Sequence, residues 1–374
     1  MGKRTLLPAT ALTQAVPPAR TTARTSALTA TLTAGLLTAL PAATATAAPT
    51  APVAPAAGSG LAGDFNGDGH TDLAAGNNSS PALNIFRGPI AHNGKAAALI
   101  GIDTIDQTGI HPDKLVAGEV NRDGRTDLLV MGMDVNNAVS PTRSVLYTGS
   151  PTGPKPGKRL AGGYAGVIAD VDKDGYGDIV TGNFMETSAS EPNGGTGGAV
   201  TVTYGAATGL SGRTPVRITQ DTAGVPGANE KGDAFGWSLS AGDTTGDGYA
   251  DIAVGVPEEW LGSKRDAGSV VVLRGSSAGL TGTGAKSFSQ DTAGIPDTAE
   301  STDFFGDAVH LSDVTGDRRA ELFIAARGEN SGAGGVWSLR GTTAGPTATG
   351  AKSFSGTTLG GPSGVAYFGT VLGS

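Results

Sequence analysis

Residues 243–251 read DTTGDGYAD, and four related nine-residue segments occur elsewhere in the chain. Each segment has an acid at position 1, Asn, Asp or Thr at position 3, Asp at position 5 and an acid at position 9. Successive copies begin 55, 51, 73 and 70 residues apart, which is the length of one supersecondary unit. We call them acidic loops 1 to 5, and they comprise residues 64–72, 119–127, 170–178, 243–251 and 313–321.

The acidic loops supply oxygen atoms in a pattern that suits Ca²⁺. Side chains at positions 1, 3, 5 and 9 and a backbone carbonyl at position 7 would surround the ion, and Gly at position 6 permits a sharp turn. Hard oxygen ligands favour Ca²⁺ over Zn²⁺ or copper. An EF-hand also needs a Glu at position 12 and a following helix, whereas position 12 here is apolar or Thr within a strand-like run. The sequence therefore predicts β-hairpin calcium loops.

The alternative interpretation is that Asp, Asn and Gly form polar turns without any metal. Five copies with one internal spacing favour the metal, because a turn alone needs no acid at positions 1 and 9. In acidic loop 5 Arg318 replaces the Gly, so we expect that site to be empty or weak. The predicted ligands are Asp64, Asn66, Asp68, His70 and Asp72; Glu119, Asn121, Asp123, Arg125 and Asp127; Asp170, Asp172, Asp174, Tyr176 and Asp178; and Asp243, Thr245, Asp247, Tyr249 and Asp251, with position 7 ligating through its backbone carbonyl.

Strand-like runs and glycine turns recur around each acidic loop. Runs of β-branched residues such as 270–273 are bounded by glycine, and a Gly-x-x-x-Gly turn such as 275–279 follows several of them. The fourth unit illustrates four short strands, with no support for a helix, at 237–241, 251–254, 269–274 and 286–290. Such units around an axis predict an all-β protein, a β-propeller of four-stranded antiparallel blades. We count five repeats plus a C-terminal strand, so six or seven blades are possible.

One family shares these motifs. The Phe235-Gly236 pair, acidic loop 4 and the following residues 252–257 resemble the FG-GAP repeat of integrin α-subunit β-propellers and of related bacterial secreted proteins. The resemblance extends over about residues 60–374. It implies a propeller ring, which in this family usually has more blades than the five repeats counted here. One hypothesis is that the terminal fragment 367–372, which resembles the first strand of a blade, pairs with another blade and closes the ring.

The first 47 residues read as an export signal. Four basic residues precede an apolar stretch at 27–40, and small residues at 43–47 offer cleavage sites. We predict a secretory signal at 1–47, an Ala/Pro-rich linker at 48–58 and the propeller at 59–374. The alternative is a membrane anchor, but the apolar stretch is shorter than the roughly 20 residues that span a bilayer.

The exported chain would be acidic and free of cysteine. Cleavage removes four basic residues and no acid, which leaves 22 basic against 34 acidic side chains, a net charge of −12. This charge argues against a nucleic-acid partner and an anionic membrane surface. The absence of Cys excludes disulfides and thiolate metal sites.

Catalytic motifs are missing from the sequence. There is no nucleophile elbow, phosphate-binding Walker loop or His-Glu-x-x-His, so we expect no enzyme. The sequence favours a secreted calcium-binding propeller that acts as an extracellular binding or adhesion module for a protein or glycan, without membrane insertion. Two alternatives are a hydrolase or lyase with its site in the central funnel, and a carbohydrate-binding lectin. Trp260, in the charged loop 258–265 on the face opposite the calcium loops, is the candidate contact residue.

Overall fold

The computed structural model describes residues 62–77, 80–89, 99–103, 110–134, 142–184, 197–360 and 366–372. The predicted signal and linker, 1–47 and 48–58, lie outside the described residues. The strands are β1 (Leu73–Asn77), β2 (Ser80–Phe86), β3 (Leu99–Asp103), β4 (Ile110–Gly118), β5 (Asp127–Asp134), β6 (Thr142–Thr148), β7 (Lys155–Ala161), β8 (Ala165–Ala169), β9 (Asp178–Asn183), β10 (Ala199–Thr203), β11 (Gly205–Ala206), β12 (Gly209–Leu210), β13 (Val216–Ile218), β14 (Leu239–Gly242), β15 (Asp251–Val256), β16 (Ser269–Arg274), β17 (Thr281–Phe288), β18 (Phe305–Ser312), β19 (Glu321–Ala326), β20 (Gly335–Arg340) and β21 (Thr347–Ser355).

The strands form successive antiparallel sheets, which confirms the predicted β-propeller architecture. Blades 2 to 5 have the strand orders β4-β5-β6-β7, β8-β9-β10-β13, β14-β15-β16-β17 and β18-β19-β20-β21, and β11-β12 is a small separate hairpin. Blade 1 comprises β1-β2-β3 among the described residues. Acidic loop 1 precedes β1, whereas each other acidic loop joins the first and second strands of its blade. The strands of blade 1 therefore correspond to the second, third and fourth strands of the other blades.

One local prediction needs correction. The C-terminal segment 366–372 forms turns and bends instead of the predicted strand. The segment Glu329–Gly332 between β19 and β20 is a tight turn in which Asn330 and Ser331 have positive φ, so it does not contradict the expected absence of helices among the described residues. Among the described residues, no helix has the length and apolar composition needed to cross a membrane.

Blade 4 shows why the central strands read as continuous apolar runs. Val270 and Val272 of β16 pack into a cluster with side chains of blade 5, whereas Val271 and Leu273 pack into a cluster with side chains of blade 3. Alternate residues of a strand point to opposite faces, and here each face is covered by a neighbouring blade. Fully burying one such side chain stabilises the fold by about 1.5–3 kcal/mol. Packing between blades therefore holds the acidic loops at one end of the array.

The Phe-Gly motif attaches blade 4 to blade 3 and blade 5 to blade 4. The backbone N–H of Phe235 donates to the carbonyl of Gly197 at 2.7 Å, and that of Phe305 donates to Ala267 at 3.0 Å. Both phenylalanine side chains are fully buried. A Cβ on Gly268 would lie 2.4 Å from the Phe305 nitrogen, so this close approach requires glycine.

The C-terminal segment repeats this attachment on blade 5. The N–H of Phe368 donates to the carbonyl of Ala333 at 3.0 Å, and a Cβ on Gly334 would lie 2.3 Å from the Phe368 nitrogen. Phe368 thus occupies the position that the Phe-Gly motif of a following blade would take. No described hydrogen bond joins segment 366–372 to β1, so ring closure stays a prediction.

Truncation tests what the C-terminal segment contributes. We expect a chain that ends at residue 365 to melt about 2–6 °C below the full chain, because it loses the half-buried Phe368 and its backbone contacts. A chain that ends at residue 372 is the control and should melt like the full chain. Thermal melting followed by circular dichroism checks this, and identical melting of both truncations would show that the segment stabilises nothing.

Candidate functional site

The acid at position 1 organises each acidic loop through backbone amides. In acidic loop 1 Asp64 Oδ1 accepts hydrogen bonds from Gly67 N at 2.6 Å and Asp68 N at 3.2 Å, and Oδ2 accepts one from Gly69 N at 2.9 Å. The residue at position 6 has a positive φ in every loop, and Arg318 adopts it with φ 67°. A left-handed conformation costs a non-glycine residue about 1–2 kcal/mol. Acidic loop 5 carries this cost at position 6, whereas acidic loops 2 and 3 carry a similar cost at position 4, where Arg122 has φ 58° and Lys173 has φ 60°.

The acid at position 9 turns inward and links two turns of its blade. Asp178 is fully buried; its Oδ2 accepts a hydrogen bond from Val171 N at 2.9 Å and its Oδ1 accepts one from Gly205 N at 3.0 Å. Burial raises the pKa of Asp178 to about 7 although both amides lower it. In blades 1 to 4 the second amide begins the turn after the third strand, so both turns lie at the same end; in blade 5 the Oε1 of the equivalent Glu321 is buried without a hydrogen-bond partner. The corresponding pairs are Asp72 with Gly88, Asp127 with Gly149 and Asp251 with Gly275.

Acidic loop 3 brings carboxylates from positions 1, 3 and 5 together. Asp170, Asp172 and Asp174 each offer an oxygen atom, and these atoms lie within 4.8 Å of one another. Asp172 Oδ2 contacts Arg213 Nη1 at 2.6 Å, while Asp172 Oδ1 is buried without a hydrogen-bond partner. An orphaned carboxylate oxygen beside two further carboxylates suits a hard divalent cation. Acidic loop 3 therefore fits the predicted ion.

Acidic loop 4 contains a basic group that sequence reasoning missed. Arg274 Nη2 donates to Thr245 Oγ1 at 3.2 Å and to Asp247 Oδ2 at 3.0 Å, and its Nη1 lies 3.4 Å from Asp251 Oδ2. The guanidinium thus contacts positions 3, 5 and 9 of the loop. One sequence pattern could have indicated this contact. In three blades an arginine directly precedes the glycine that follows the third strand, at Arg87, Arg274 and Arg340.

Replacing Arg274 tests whether it competes with calcium. We expect Arg274→Gln to raise the calcium affinity of acidic loop 4 about two- to fivefold, because an exposed ion pair contributes up to about 1 kcal/mol. Calcium titration of the full chain measures this. Arg340→Gln, beside the weak acidic loop 5, is the matched control and should leave the affinity of acidic loop 4 unchanged. A lower affinity in Arg274→Gln would mean that the guanidinium supports the site.

Backbone bonds connect the acidic loops of neighbouring blades. The N–H at position 8 donates to the position 1 carbonyl of the preceding blade in three cases. These bonds join Thr126 to Asp64 at 2.9 Å, Ala250 to Asp170 at 3.1 Å and Ala320 to Asp243 at 2.7 Å. These bonds connect acidic loop 1 with loop 2, and acidic loop 4 with both loop 3 and loop 5, along one end of the blades.

A cavity of about 700 Å³ opens at the other end. We call it the axial cavity, because four blades contribute the beginnings or middles of their first strands and the C-terminal segment completes the wall. The cavity lies opposite the acidic loops because those loops come after the first strands. Tyr164 and Trp237 come just before the first strands of their blades, and Asp307 lies near the beginning of one. The main wall segments are 114–116, 164–166, 237–239, 307–309 and 370–372.

Three aromatic rings and three charged groups lie in or beside the axial cavity. The ring centroids of Tyr164 and Phe184 are 4.3 Å apart, and Trp237 lies 5.1 Å from Tyr164 and 4.6 Å from Phe184. Lys114 Nζ lies 4.3 Å from the Tyr164 ring centroid. No local sequence pattern indicates this cluster, because its members come from different blades.

An ion pair forms the polar side of the axial cavity. Arg327 donates to Asp307, and its guanidinium carbon lies 5.9 Å from the Trp237 ring centroid. Burial raises the pKa of Asp307, and the neighbouring Arg327 counteracts part of that effect. The axial cavity therefore combines aromatic faces with a charged donor and a charged acceptor.

Trp260 lies outside the axial cavity wall. Its side chain is 53% exposed, and its Nε1 donates to Asp266 Oδ1 at 3.1 Å. The Arg265 guanidinium lies 5.7 Å from its ring centroid. Trp260 thus packs against its own loop and still presents half of its surface, and its role as a contact residue stays a prediction.

Comparison with known families matches the repeats just described. The FG-GAP repeat family matches residues 235–273, which contain the Phe235-Gly236 pair and acidic loop 4. An FG-GAP-like repeat family matches residues 64–130, which contain acidic loops 1 and 2. The chain carries FG-GAP repeats. In this FG-GAP chain the matches cover both the first blades and blade 4, which confirms the resemblance seen in the sequence.

Individual relatives are more distant. A mouse phosphatidylinositol-glycan-specific phospholipase D is 33% identical over 146 residues, which are 39% of this FG-GAP chain and 16% of the mouse protein. A triple arginine mutant of AofleA from Arthrobotrys oligospora shares 14% identity over 81% of this chain and 75% of that one, with a TM-score of 0.38. The fucose-specific lectin from Aleuria aurantia shares 9% identity over 74% and 76% of the two chains, with a TM-score of 0.32.

Proposed function

We propose that this FG-GAP protein is a secreted, calcium-stabilised β-propeller that binds an extracellular protein or glycan in its axial cavity. The observation that carries the proposal is the axial cavity itself, where aromatic rings and the Asp307–Arg327 pair converge from separate blades. Ligand sites are typically concave, mostly apolar and provided with a few polar groups that orient the ligand. The axial cavity has this composition.

Calcium is proposed as a structural ion at the opposite end. Asp170, Asp172 and Asp174, whose oxygens converge, would hold it in acidic loop 3. When bound, the ion neutralises the clustered carboxylates and fixes the hairpin. Because backbone bonds connect neighbouring acidic loops, an ordered loop restrains the next blade. Secretion rests on the signal-like residues 1–47, and because the chain has no Cys, bound ions would take the stabilising role that disulfides often have in exported proteins.

A glycan ligand is the more specific candidate, since the rings of Tyr164 and Trp237 lie together beside charged hydrogen-bonding groups. Aromatic faces pack against the apolar faces of sugars, and charged groups bind their hydroxyls. An enzyme acting in the axial cavity is the other candidate. Asp307 favours it, because it is a buried carboxylate with a raised pKa that belongs to no acidic loop.

A glycan-array and cell-wall pull-down experiment tests the proposed function. The calcium-loaded protein is compared with Trp237→Ala and with the control Trp260→Ala. We expect saturable binding that Trp237→Ala weakens at least about tenfold, the equivalent of about 1.4 kcal/mol, while Trp260→Ala binds like the unchanged protein. Loss of binding in Trp260→Ala alone would place the site on the outer loop. Turnover of the bound glycan that is lost in Asp307→Asn would identify an enzyme.

A further inference from the structure

A second group of acids lies at the end of blade 5 that is remote from acidic loop 5. Glu300 and Asp303 precede β18, and Glu329 follows β19. Each offers a carboxylate oxygen, and these oxygens lie within 4.8 Å of one another. Asp303 is 3% exposed and Glu329 is 2% exposed, whereas Glu300 lies at the surface. We call this group, together with Gln290, the blade 5 carboxylate cluster.

Gln290 points into the cluster and is incompletely satisfied. Its side chain is 1% exposed, and its Nε2 donates to Glu329 Oε2 at 2.5 Å. The Oε1 of the same amide is buried and has no hydrogen-bond partner. A buried acceptor without a hydrogen-bond partner destabilises the folded state. A cation between the amide oxygen and the carboxylates would satisfy this atom.

Among the residues that the structure describes, no basic side chain forms an ion pair with the carboxylates of the cluster. Glu329 Oε1 accepts a hydrogen bond from Asn330 Nδ2 at 2.8 Å, and Asp303 Oδ2 accepts one from Glu300 N at 2.6 Å. The nearby Lys264 is held by Asp291 at 2.8 Å. Burial and the neighbouring acids raise the pKa of Glu329 to about 7 and that of Asp303 to about 6. Buried carboxylates in this state are stabilised by a cation or by protons.

The same four residue types recur 70 residues earlier in blade 4. Gln220 Nε2 donates to Glu259 Oε2 at 2.7 Å, and Gln220 Oε1 is likewise buried without a partner. The N–H of Glu230 donates to Asp233 Oδ2 at 2.7 Å, as the N–H of Glu300 donates to Asp303. The arrangement is therefore built twice by the repeat, and the oxygens converge most closely in blade 5.

We propose that the blade 5 carboxylate cluster is a divalent cation site that binds Ca²⁺ through Glu300, Asp303, Glu329 and the Gln290 amide oxygen. Three carboxylates and an amide are hard oxygen ligands, and the exposed side allows water to complete the shell. Ca²⁺ suits the irregular set better than Mg²⁺, which demands near-octahedral geometry. The site is separate from the acidic loops and does not depend on their binding calcium.

Its position links the site to the axial cavity. Glu329 is two residues after Arg327, and Asp303 is four residues before Asp307, so an ion would join the two segments that carry this pair. The side chains already meet nearby, since the Arg327 guanidinium lies 4.2 Å from the Phe304 ring centroid. The cation would therefore restrain the segments that hold Asp307 and Arg327 in the wall of the axial cavity.

Equilibrium dialysis with radioactive calcium on the full chain tests the site. We expect Glu329→Gln to bind one equivalent fewer than the unchanged protein, Asp174→Ala to lose a different equivalent, and the double variant to lose two. Glu258→Gln, a neighbouring glutamate outside the cluster, is the control and should retain every equivalent. Loss in Glu329→Gln without loss in Asp174→Ala would support this site while contradicting calcium in acidic loop 3.

The exposed ligand provides a variant that leaves the buried residues intact. Circular dichroism verifies folding, and if Glu329→Gln does not fold, Glu300→Gln is titrated in its place. We expect it to weaken one calcium equivalent about tenfold. The proposal is overturned if folded Glu329→Gln, or Glu300→Gln in its place, keeps the stoichiometry and affinity of the unchanged protein. Such a result would mean that protons alone neutralise the cluster.

Discussion

Removing calcium with excess EGTA is expected to lower the melting temperature of the full chain by more than about 10 °C. An ion that binds only the folded chain adds RT ln(1 + [L]/Kd) to the free energy of unfolding. At roughly 2 mM calcium and a Kd of about 10⁻⁴ M, each site contributes about 1.8 kcal/mol. Four occupied acidic loops would then supply about 7 kcal/mol, a large fraction of the stability of a typical domain. Thermal melting with and without EGTA measures the change.

The control for this experiment is restoration by a chosen ion. Excess CaCl₂ should return the melting temperature to its starting value, whereas the same concentration of MgCl₂ should restore little of it. Mg²⁺ loses its water reluctantly and requires a stricter geometry than these loops present. Identical melting in EGTA and in millimolar CaCl₂ would show that the carboxylates of the acidic loops act as metal-free turns.

Asp178→Ala is expected to destabilise the protein by about 2–4 kcal/mol whether or not calcium is present. The substitution leaves two buried backbone amides, Val171 N and Gly205 N, without the carboxylate that accepts their hydrogen bonds. The raised pKa of Asp178, about 7, shows that burial of its charge already offsets part of this gain. Denaturant unfolding monitored by circular dichroism measures the loss.

Asp174→Ala is the matched control for Asp178→Ala, because it removes an acid from an exposed position of the same loop. We expect it to cost about 1–2 kcal/mol in calcium and much less in EGTA, since its oxygen serves the ion. Glu321→Ala in acidic loop 5 should show no such difference between calcium and EGTA. Equal losses for Asp174→Ala and Asp178→Ala under both conditions would contradict the division between a structural position 9 and a ligating position 5.

The repeating features of the fold could be predicted from the sequence. The five acidic loops and the strand runs between glycines are local patterns that recur in every blade, and Phe-Gly pairs mark the start of blades 4 and 5 and the C-terminal segment. Strand β16 begins and ends at the predicted residues 269 and 274. The irregular parts of the fold were harder to predict from the sequence. The C-terminal segment contains a Phe-Gly pair and docks on blade 5 as the start of a following blade would, but it does not form a strand.

The chemistry of the sites depends on contacts that no local pattern contains. Arg274 contacts acidic loop 4 because antiparallel pairing places the end of β16 beside it. Tyr164 and Trp237 meet because blades 3 and 4 bring their first strands to one cavity. The sequence located the acidic residues, but it assigned position 9 only to the ion. The acid at position 9 also accepts hydrogen bonds from backbone amides, and one of these amides lies in the turn after the third strand, which is distant in sequence.

The most direct measurement is a calorimetric titration of Ca²⁺ into the metal-free full chain and into Asp174→Ala. Calcium held by the converging oxygens of acidic loop 3 predicts saturable binding, with a Kd of about 10⁻⁴–10⁻³ M and one equivalent fewer in the variant. If the unchanged protein takes up no calcium, or if the variant takes up as much as the unchanged protein, then acidic loop 3 holds no calcium.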